Sequence, residues 1–318
     1  MIEVKDLVKK YGSHLAVDHL SFTLESGKIY GFLGPNGAGK STTMNIMTGY
    51  LGATQGSVLI DGHDILKEPE EAKKHIGYLP ELPPLYMDMT VQEYLEFAAE
   101  LKKLPKEKRE SDISEVMKLT RLQDVSGRLI KNLSKGYKQR VGLAQAILGF
   151  PEIIILDEPT VGLDPKQIIE IRELIRTLSK KHTVILSSHI LAEVREVCDY
   201  ILIISKGKLV ASDTPENLEL LRNGASSLEL EVKAAPETAQ AILSTIDDIN
   251  TMEMHIENEN LTRVKLETKN GADIREAVFY AFAEEKCPLL EMKTAKASLE
   301  DIFMELTQKE ESNDAGNL

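Results

Sequence analysis

The sequence predicts an α/β fold built on a largely parallel sheet, followed by a smaller α+β domain. Three observations predict it. An apolar run, Ile29-Tyr30-Gly31-Phe32-Leu33, leads straight into a glycine-rich loop. From Leu133 onward, amphipathic segments alternate with apolar runs at Ile153–Leu156, Val184–Leu186 and Ile201–Ile204, the pattern of parallel strands joined by covering helices. Past a composition break at Leu221-Arg222-Asn223-Gly224-Ala225, the chain turns to short, charged strands and helices of its own.

The first ~30 residues alternate apolar and polar positions (Ile2/Val4, Val17, Phe22/Leu24) and turn at Gly12 and Gly27, which predicts antiparallel strands. Residues 29–33 read as a buried strand feeding a helix, and 57–60 and 76–79 as further short strands. Between Thr90 and Lys131, Leu95, Ala98, Ala99 and Leu101, then Ile113, Val116 and Met117, recur at helical spacing and predict a helical insertion. Right-handed crossovers leave few topologies for the alternating part. Beyond the break the reading is strand 227–233, helix 237–245, strands 251–256 and 261–267, helix 273–285, strand 288–293 and helix 298–307. The order β-α-β-β-α-β is ferredoxin-like. Residues 310–318 are polar and read as a flexible tail. The expected division is therefore 1–222, 226–309 and 310–318.

Composition bounds the function. An apolar fraction of 42% with 28% charged residues is that of a globular protein with a sizeable core. Lys plus Arg number 38 against 51 Asp plus Glu, a formal charge of −13, which disfavours a broad nucleic-acid footprint or adhesion to anionic lipid. The two cysteines, Cys198 and Cys287, lack metal-ligand spacing and fit a reduced, cytosolic setting. The opening Met1-Ile2-Glu3-Val4-Lys5-Asp6 carries charges where a signal peptide needs apolar residues. The apolar runs are strand-sized, so the chain is not expected to cross a membrane unaided.

Gly34-Pro35-Asn36-Gly37-Ala38-Gly39-Lys40-Ser41-Thr42 fits the phosphate-loop pattern G-x-x-x-x-G-K-[ST]. Glycines let main-chain N–H groups converge on phosphate oxygens, and the helix starting near Gly39 turns its positive end to the same anion. Lys40 can reach the β- and γ-phosphates, and the Ser41 hydroxyl can ligate Mg²⁺. The loop predicts nucleotide binding without separating kinases, GTPases, helicases and transport motors. Further along, the apolar run Ile153–Leu156 delivers Asp157 and Glu158 to its carboxyl end, where open α/β sheets place ligands. Asp157 suits Mg²⁺, directly or through its hydration shell. Glu158, displaced to the other side of the strand, suits polarising an attacking water.

Leu156-Asp157-Glu158-Pro159-Thr160-Val161-Gly162-Leu163-Asp164-Pro165 resembles the Walker B motif and D-loop of the ABC ATPases. Leu133-Ser134-Lys135-Gly136-Tyr137-Lys138-Gln139-Arg140 occupies the slot of their signature loop, Ser188-His189 that of the switch histidine, and Tyr11 that of the aromatic residue that stacks on adenine. These motifs span residues 1 to about 220. The resemblance implies a P-loop NTPase of the ABC-type cassette, with an antiparallel β subdomain and a helical subdomain at about 82–148. It implies ATP and Mg²⁺ as cofactors, with ATP sandwiched between two subunits. Ser134 and Gly136 would meet the γ-phosphate held by the second subunit, Asp164 would act across the dimer interface, and His189 would sense the γ-phosphate and hold water near Glu158. Each has a plainer reading: Ser134 as a helix N-cap, Asp164 as a turn residue before Pro165, His189 as a helix-start histidine, Tyr11 as ordinary packing.

Two motifs depart from the pattern. Lys135 and Tyr137 replace the third and fifth members of Leu-Ser-Gly-Gly-Gln. In Gly77-Tyr78-Leu79-Pro80-Glu81, Glu81 stands where the family carries glutamine, and its carboxylate can accept from water or approach Mg²⁺. The helical subdomain would dock onto an integral membrane permease subunit. Ala297-Ser298-Leu299-Glu300-Asp301-Ile302-Phe303 resembles the tail of ATPases paired with ABC-2-type permeases, many of them exporters. The expectation is thus an ATP-hydrolysing subunit, a homodimer, driving export from the inner face of the cell membrane, with no nucleic-acid partner. The competing expectations are an ATP-gated regulator of low turnover and a non-transport ABC ATPase acting on nucleic acid or ribosomes.

Overall fold

The computed structural model describes residues 1–220, 227–258, 260–269 and 272–295. The chain divides into two compact units between Thr214 and Pro215.

The first unit holds two sheets. Strands β1 (Ile2–Tyr11) and β2 (His14–Leu24) form an antiparallel pair, β3 is Ile29–Leu33, β4 is Gln55–Ile60 and β5 is the short His63–Asp64. Order β2-β1-β4-β5 makes the antiparallel sheet, whose apolar alternation (Ile2, Val4, Leu20, Val58, Ile60) buries one face. The second sheet adds β6 (Ile76–Leu79), β7 (Ile153–Leu156), β8 (Thr183–Ser188), β9 (Tyr200–Ser205) and β10 (Lys208–Asp213), in the order β10-β9-β3-β8-β7-β6. The five strands from β9 to β6 run parallel, and β10 closes the edge antiparallel to β9. All residues of β3, β7 and β8 are buried, which is why these segments read as unbroken apolar runs.

Helices α1 (Lys40–Met47), α2 (Pro69–Lys74), α3 (Val91–Leu101), α4 (Lys106–Leu119), α5 (Lys135–Ile147), α6 (Pro165–Ser179) and α7 (Leu191–Val197) complete this unit. The insertion between β6 and β7 resolves into α3, α4 and α5 with two 3₁₀ turns at Gln123–Val125 and Ile130–Asn132. Thr90 opens α3 with a reciprocal capping box to Glu93. Lys103, with φ at 55°, and Pro105 separate α3 from α4. Helix α7 rests directly on the backbone of β3, since a Cβ on Gly31 would lie 2.3 Å from Val194 Cγ1 and 2.8 Å from Cys198 Sγ.

The second unit runs α8 (Pro215–Leu220), β11 (Ser227–Val232), α9 (Pro236–Leu243), β12 (Ile249–Asn258), β13 (Leu261–Thr268), α10 (Arg275–Glu284) and β14 (Leu289–Ala295). Its sheet is antiparallel throughout, in the order β12-β13-β11-β14. Leu228, Leu230, Val264 and Leu266 on the sheet pack with Ile242, Leu243, Val278 and Phe282 from the helices. The helix expected over 298–307 and the tail 310–318 lie outside the described residues.

Candidate active site

Parallel strands bring their carboxyl ends to one edge, and there the separate motifs meet. Strand β3 delivers Gly34, β7 delivers Asp157 and Glu158, and β8 delivers Ser187, Ser188 and His189. The registers Leu33↔Ser188 and Leu156↔Leu186 hold the three exits level. A cavity of about 510 Å³ opens at this edge, lined by Tyr11, His14, Ala16, Asn36, Gly37, Gly39, Lys40, Ser41, Thr42, Glu81, Glu158, Val161 and His189.

The phosphate loop wraps one wall of the cavity. Gly39 caps α1 with φ at 100°, and a Cβ there would lie 2.5 Å from the carbonyl oxygen of Ala16, so only glycine fits. Ala38 N donates to Pro35 O at 3.2 Å, closing the turn. Lys40 is 6% exposed, and its ammonium donates to Gly34 O at 2.7 Å and Pro35 O at 3.2 Å. Burial pushes that ammonium below its ordinary value, against the pull of Glu158, Asp157 and Glu81. A flexible cation at the head of a helix, beside converging amides, is a site for a polyphosphate.

The opposite wall carries the acids. Strand β7 ends at Leu156, and Glu158 turns into the left-handed region with φ at 47°. The strict side-to-side alternation expected of an extended strand is therefore broken, and both carboxylates stand beside the phosphate loop. Asp157, 3% exposed, accepts from Ser41 Oγ at 3.2 Å, and Glu158 Oε1 lies 3.9 Å from Lys40 Nζ. His189 Nδ1 lies 3.1 and 3.0 Å from the two oxygens of Glu158 and, carrying its proton there, donates to them. The 3.2 Å between Ser41 Oγ and Asp157 Oδ1 is close to the ~3 Å edge between neighbouring oxygens around a six-coordinate Mg²⁺. This all-oxygen donor pair fits that ion. Glu81 is exposed on the cavity lining, and Tyr11 stands at its mouth with Lys9 Nζ 5.2 Å from its ring centre.

Three candidate residues are not brought to this cavity. Ser134 Oγ accepts from Tyr137 N at 3.4 Å and opens α5, and Asp164 Oδ1 accepts from Gln167 N at 2.9 Å and opens α6. Both serve as helix N-caps. Gly136 packs under the Gln167 side chain, and the Lys135 ammonium lies over Gly162, so the signature loop leans on the D-loop of its own chain.

Sequence reasoning missed His14, Ala16 and Val161, which complete the cavity wall. It also passed over two buried polar side chains. Ser187 accepts from Glu158 N and donates to Asp157. Glu193 accepts from Thr160 Oγ1 at 2.6 Å and from Ser188 Oγ at 3.2 Å, tying the root of the D-loop to the residue before His189. The signal for Ser187 was present in Leu186-Ser187-Ser188-His189, an apolar strand ending in two hydroxyl groups. Glu193 gave none, because an acid on a short helix ordinarily reads as solvated.

Comparison with known proteins identifies the family. The ABC transporter family profile matches residues 17–161. An uncharacterized ABC transporter ATP-binding protein, YhcH of Bacillus subtilis (strain 168), is 37% identical over 310 residues, covering 96% of each chain. The bacitracin transport ATP-binding protein BcrA of Bacillus licheniformis is 35% identical over 308 residues, covering 96% of this chain and 97% of its own. Among solved structures, a dimeric ATP-binding cassette in a post-hydrolysis state, bound to ADP and Pi, superposes with a TM-score of 0.62 at 26% identity. It covers 67% of this chain and 98% of that one. The family binds and hydrolyses ATP, and the chain belongs to it: it is an ABC transporter ATP-binding protein, the nucleotide-binding subunit of a transporter.

Proposed function

We propose that the cavity at the carboxyl edge of the parallel sheet hydrolyses ATP between two copies of this chain, and that the cycle drives export through a separate membrane permease. The observation that carries this reading is the meeting of Lys40, Glu158 and His189 on the lining of one cavity, with Asp157 bonded to Ser41 beside them, although they follow three strands far apart in sequence. Phosphate-loop amides and Lys40 hold the polyphosphate, and Tyr11 stacks on the base. Ser41 and Asp157 would hold Mg²⁺, with Glu81 approaching from the cavity rim. When bound, the ion neutralises charge on the phosphate oxygens. Glu158 accepts the proton of the attacking water, and His189 keeps the carboxylate aimed and senses the terminal phosphate.

Ser134, Gly136 and Asp164 lie away from the cavity of their own chain, so their nucleotide role requires a second copy. The dimeric cassette bound to ADP and Pi supports that arrangement. The permease partner follows from the transport relatives, and no helix among the described residues is long and apolar enough to cross a membrane. Export follows from the resemblance of Ala297–Phe303 to ABC-2-associated tails. The second unit is an accessory domain, and the segment at about 82–148 docks on the permease.

Phosphate release from purified protein tests the reading. Glu158→Gln is expected to abolish turnover by a factor of ~10² or more while an ATP-bound dimer accumulates in sedimentation. Lys40→Ala is expected to lose nucleotide affinity instead. A monomer in saturating ATP would remove the sandwich from the mechanism. Turnover surviving Glu158→Gln would remove Glu158 from its role.

A further inference from the structure

We infer that Ser187 is a positioning residue for ATP hydrolysis, holding the strained backbone of Glu158 and the carboxylate of Asp157 in one fixed relation through a single hydroxyl. The inference rests on the reading of Glu158 as the group that prepares the water.

Ser187 is 0% exposed, in the middle of the sheet, and pairs with Phe32 of β3. Its Oγ accepts from the main-chain N–H of Glu158 at 2.8 Å and donates its one proton to Asp157 Oδ1 at 2.6 Å. The hydroxyl is used in both directions, and the two consecutive acids are latched to the same oxygen. The latch matters because of where Glu158 sits. Its φ of 47° lies in a region that a residue with a Cβ occupies only when its surroundings over-determine it. That turn is what lets Asp157 face Ser41 while Glu158 faces Lys40 and His189.

The neighbouring hydroxyl is already committed elsewhere. Ser188, the adjacent hydroxyl, is directed to Glu193 and Ile190. With Ser187 fully buried, water has no ready path to replace it, so its loss strands the Glu158 N–H without an acceptor. Relief comes by letting φ relax, which swings the Glu158 carboxylate away from its aim. An error of that kind acts chiefly on the chemical step, because Ser187 bonds neither Lys40 nor the loop itself and reaches Ser41 only through Asp157.

The test is a series at this one position: Ser187→Ala, Ser187→Cys and Ser187→Thr, with Glu158→Gln in parallel. As a control for simple destabilisation, Thr183→Ala removes a half-buried hydroxyl acceptor, to which Gly27 N donates at 3.0 Å, at the far end of the same strand. Ser187→Ala is expected to lower kcat by ~10- to 100-fold, the scale of an ångström-sized misplacement, with KM and the affinity for a fluorescent ATP analogue within about threefold of wild type. Ser187→Thr keeps the hydroxyl and is expected to return kcat to within about threefold. Ser187→Cys, a weak donor and acceptor, is expected to fall between. Thr183→Ala is expected to lower the melting temperature and leave kcat unchanged.

A kcat within threefold of wild type for Ser187→Ala, a loss shared equally by nucleotide affinity, or an order other than Thr above Cys above Ala would overturn the inference. If Glu158→Gln still turns over, the underlying reading of Glu158 fails. If Glu158→Gln is dead while Ser187→Ala is not, only the role of Ser187 fails.

Discussion

Replacing Lys102 with methionine removes the ammonium that closes the C-terminal end of α5 while keeping an unbranched stem of similar length. Lys102 Nζ donates to the carbonyl oxygens of Gln145 at 2.8 Å, Ala146 at 3.1 Å and Leu148 at 2.8 Å, joining the end of α3 to the helix that Ser134 opens. Two consequences follow, with different pH dependence. At neutral pH the variant leaves terminal carbonyls of α5 without their donor, at about 1–3 kcal/mol. The second consequence is electrostatic. Burial pushes the Lys102 ammonium down to about 8 from an ordinary 10.5. Below about pH 8 both the folded and the unfolded chain carry the proton, and this group adds no pH dependence. Between about 8 and 10.5 the unfolded chain binds more protons, so the wild-type protein gains stability as pH rises. The full gap is worth at most about 3 kcal/mol, and about 2 kcal/mol of it is reached by pH ~9.5. Urea denaturation of both proteins at pH ~7 and ~9.5 reads the effect, because every other titrating group is common to the two chains and cancels. The stability advantage of wild type over Lys102→Met is expected to widen by about 2 kcal/mol across that interval. An advantage that stays flat or narrows refutes the reasoning, and would mean that the carbonyl dipoles outweigh desolvation at Nζ.

Four further outcomes are expected. Tyr11→Ala is expected to raise KM for ATP by ~5- to 50-fold with kcat little changed, the worth of one base–aromatic stack; an unchanged KM would return Tyr11 to ordinary packing. Gly31→Ala forces a Cβ against Val194 and Cys198 and is expected to cost about 1–3 kcal/mol in thermal unfolding, part of which Val194→Ala in the same chain restores. Additive losses in the double variant would argue against that contact. Glu170→Gln is expected to cost about 2 kcal/mol, because Glu170 takes both Arg140, whose side chain is 10% exposed, and Arg121. Arg121→Gln, at an end that is 58% exposed, is expected to cost well under half as much.

Much of the architecture was legible because the relevant signals are local. A phosphate loop is nine consecutive residues, and Ile153–Leu156 carries its own announcement as a strand buried on both faces. The α3–α4 break was less legible, since Lys103 adopts a left-handed conformation that its side chain does nothing to advertise. Strand β10 and the two-residue β5 escaped notice for another reason. Edge strands are only half buried, and Lys208–Asp213 reads as a polar loop until its pairing with β9 is seen. Within the site, Lys40, Asp157, Glu158 and His189 are recognisable from residue type and order. The two hydroxyl groups that end β8 mark Ser187 without saying what it bonds, and Glu193 carries no mark at all, because what makes each matter is a partner 29 to 33 residues away. The left-handed turn at Glu158 lies equally outside what side-chain patterning can show.

The bare backbone of Gly31 has one more consequence. With no side chain between them, β3 and α7 are in direct contact through Val194 and Cys198, so the strand that supplies the phosphate loop and the helix that follows His189 form a single stiff plate. Sliding α7 along that plate would drive side-chain atoms through main chain. Displacement of the histidine is therefore confined to torsions about Ser188, His189 and Ile190, a hinge of three peptide units. A histidine that swings during the cycle should leave amide exchange in α7 unaltered, and only the protons of those three hinge residues should register the stroke.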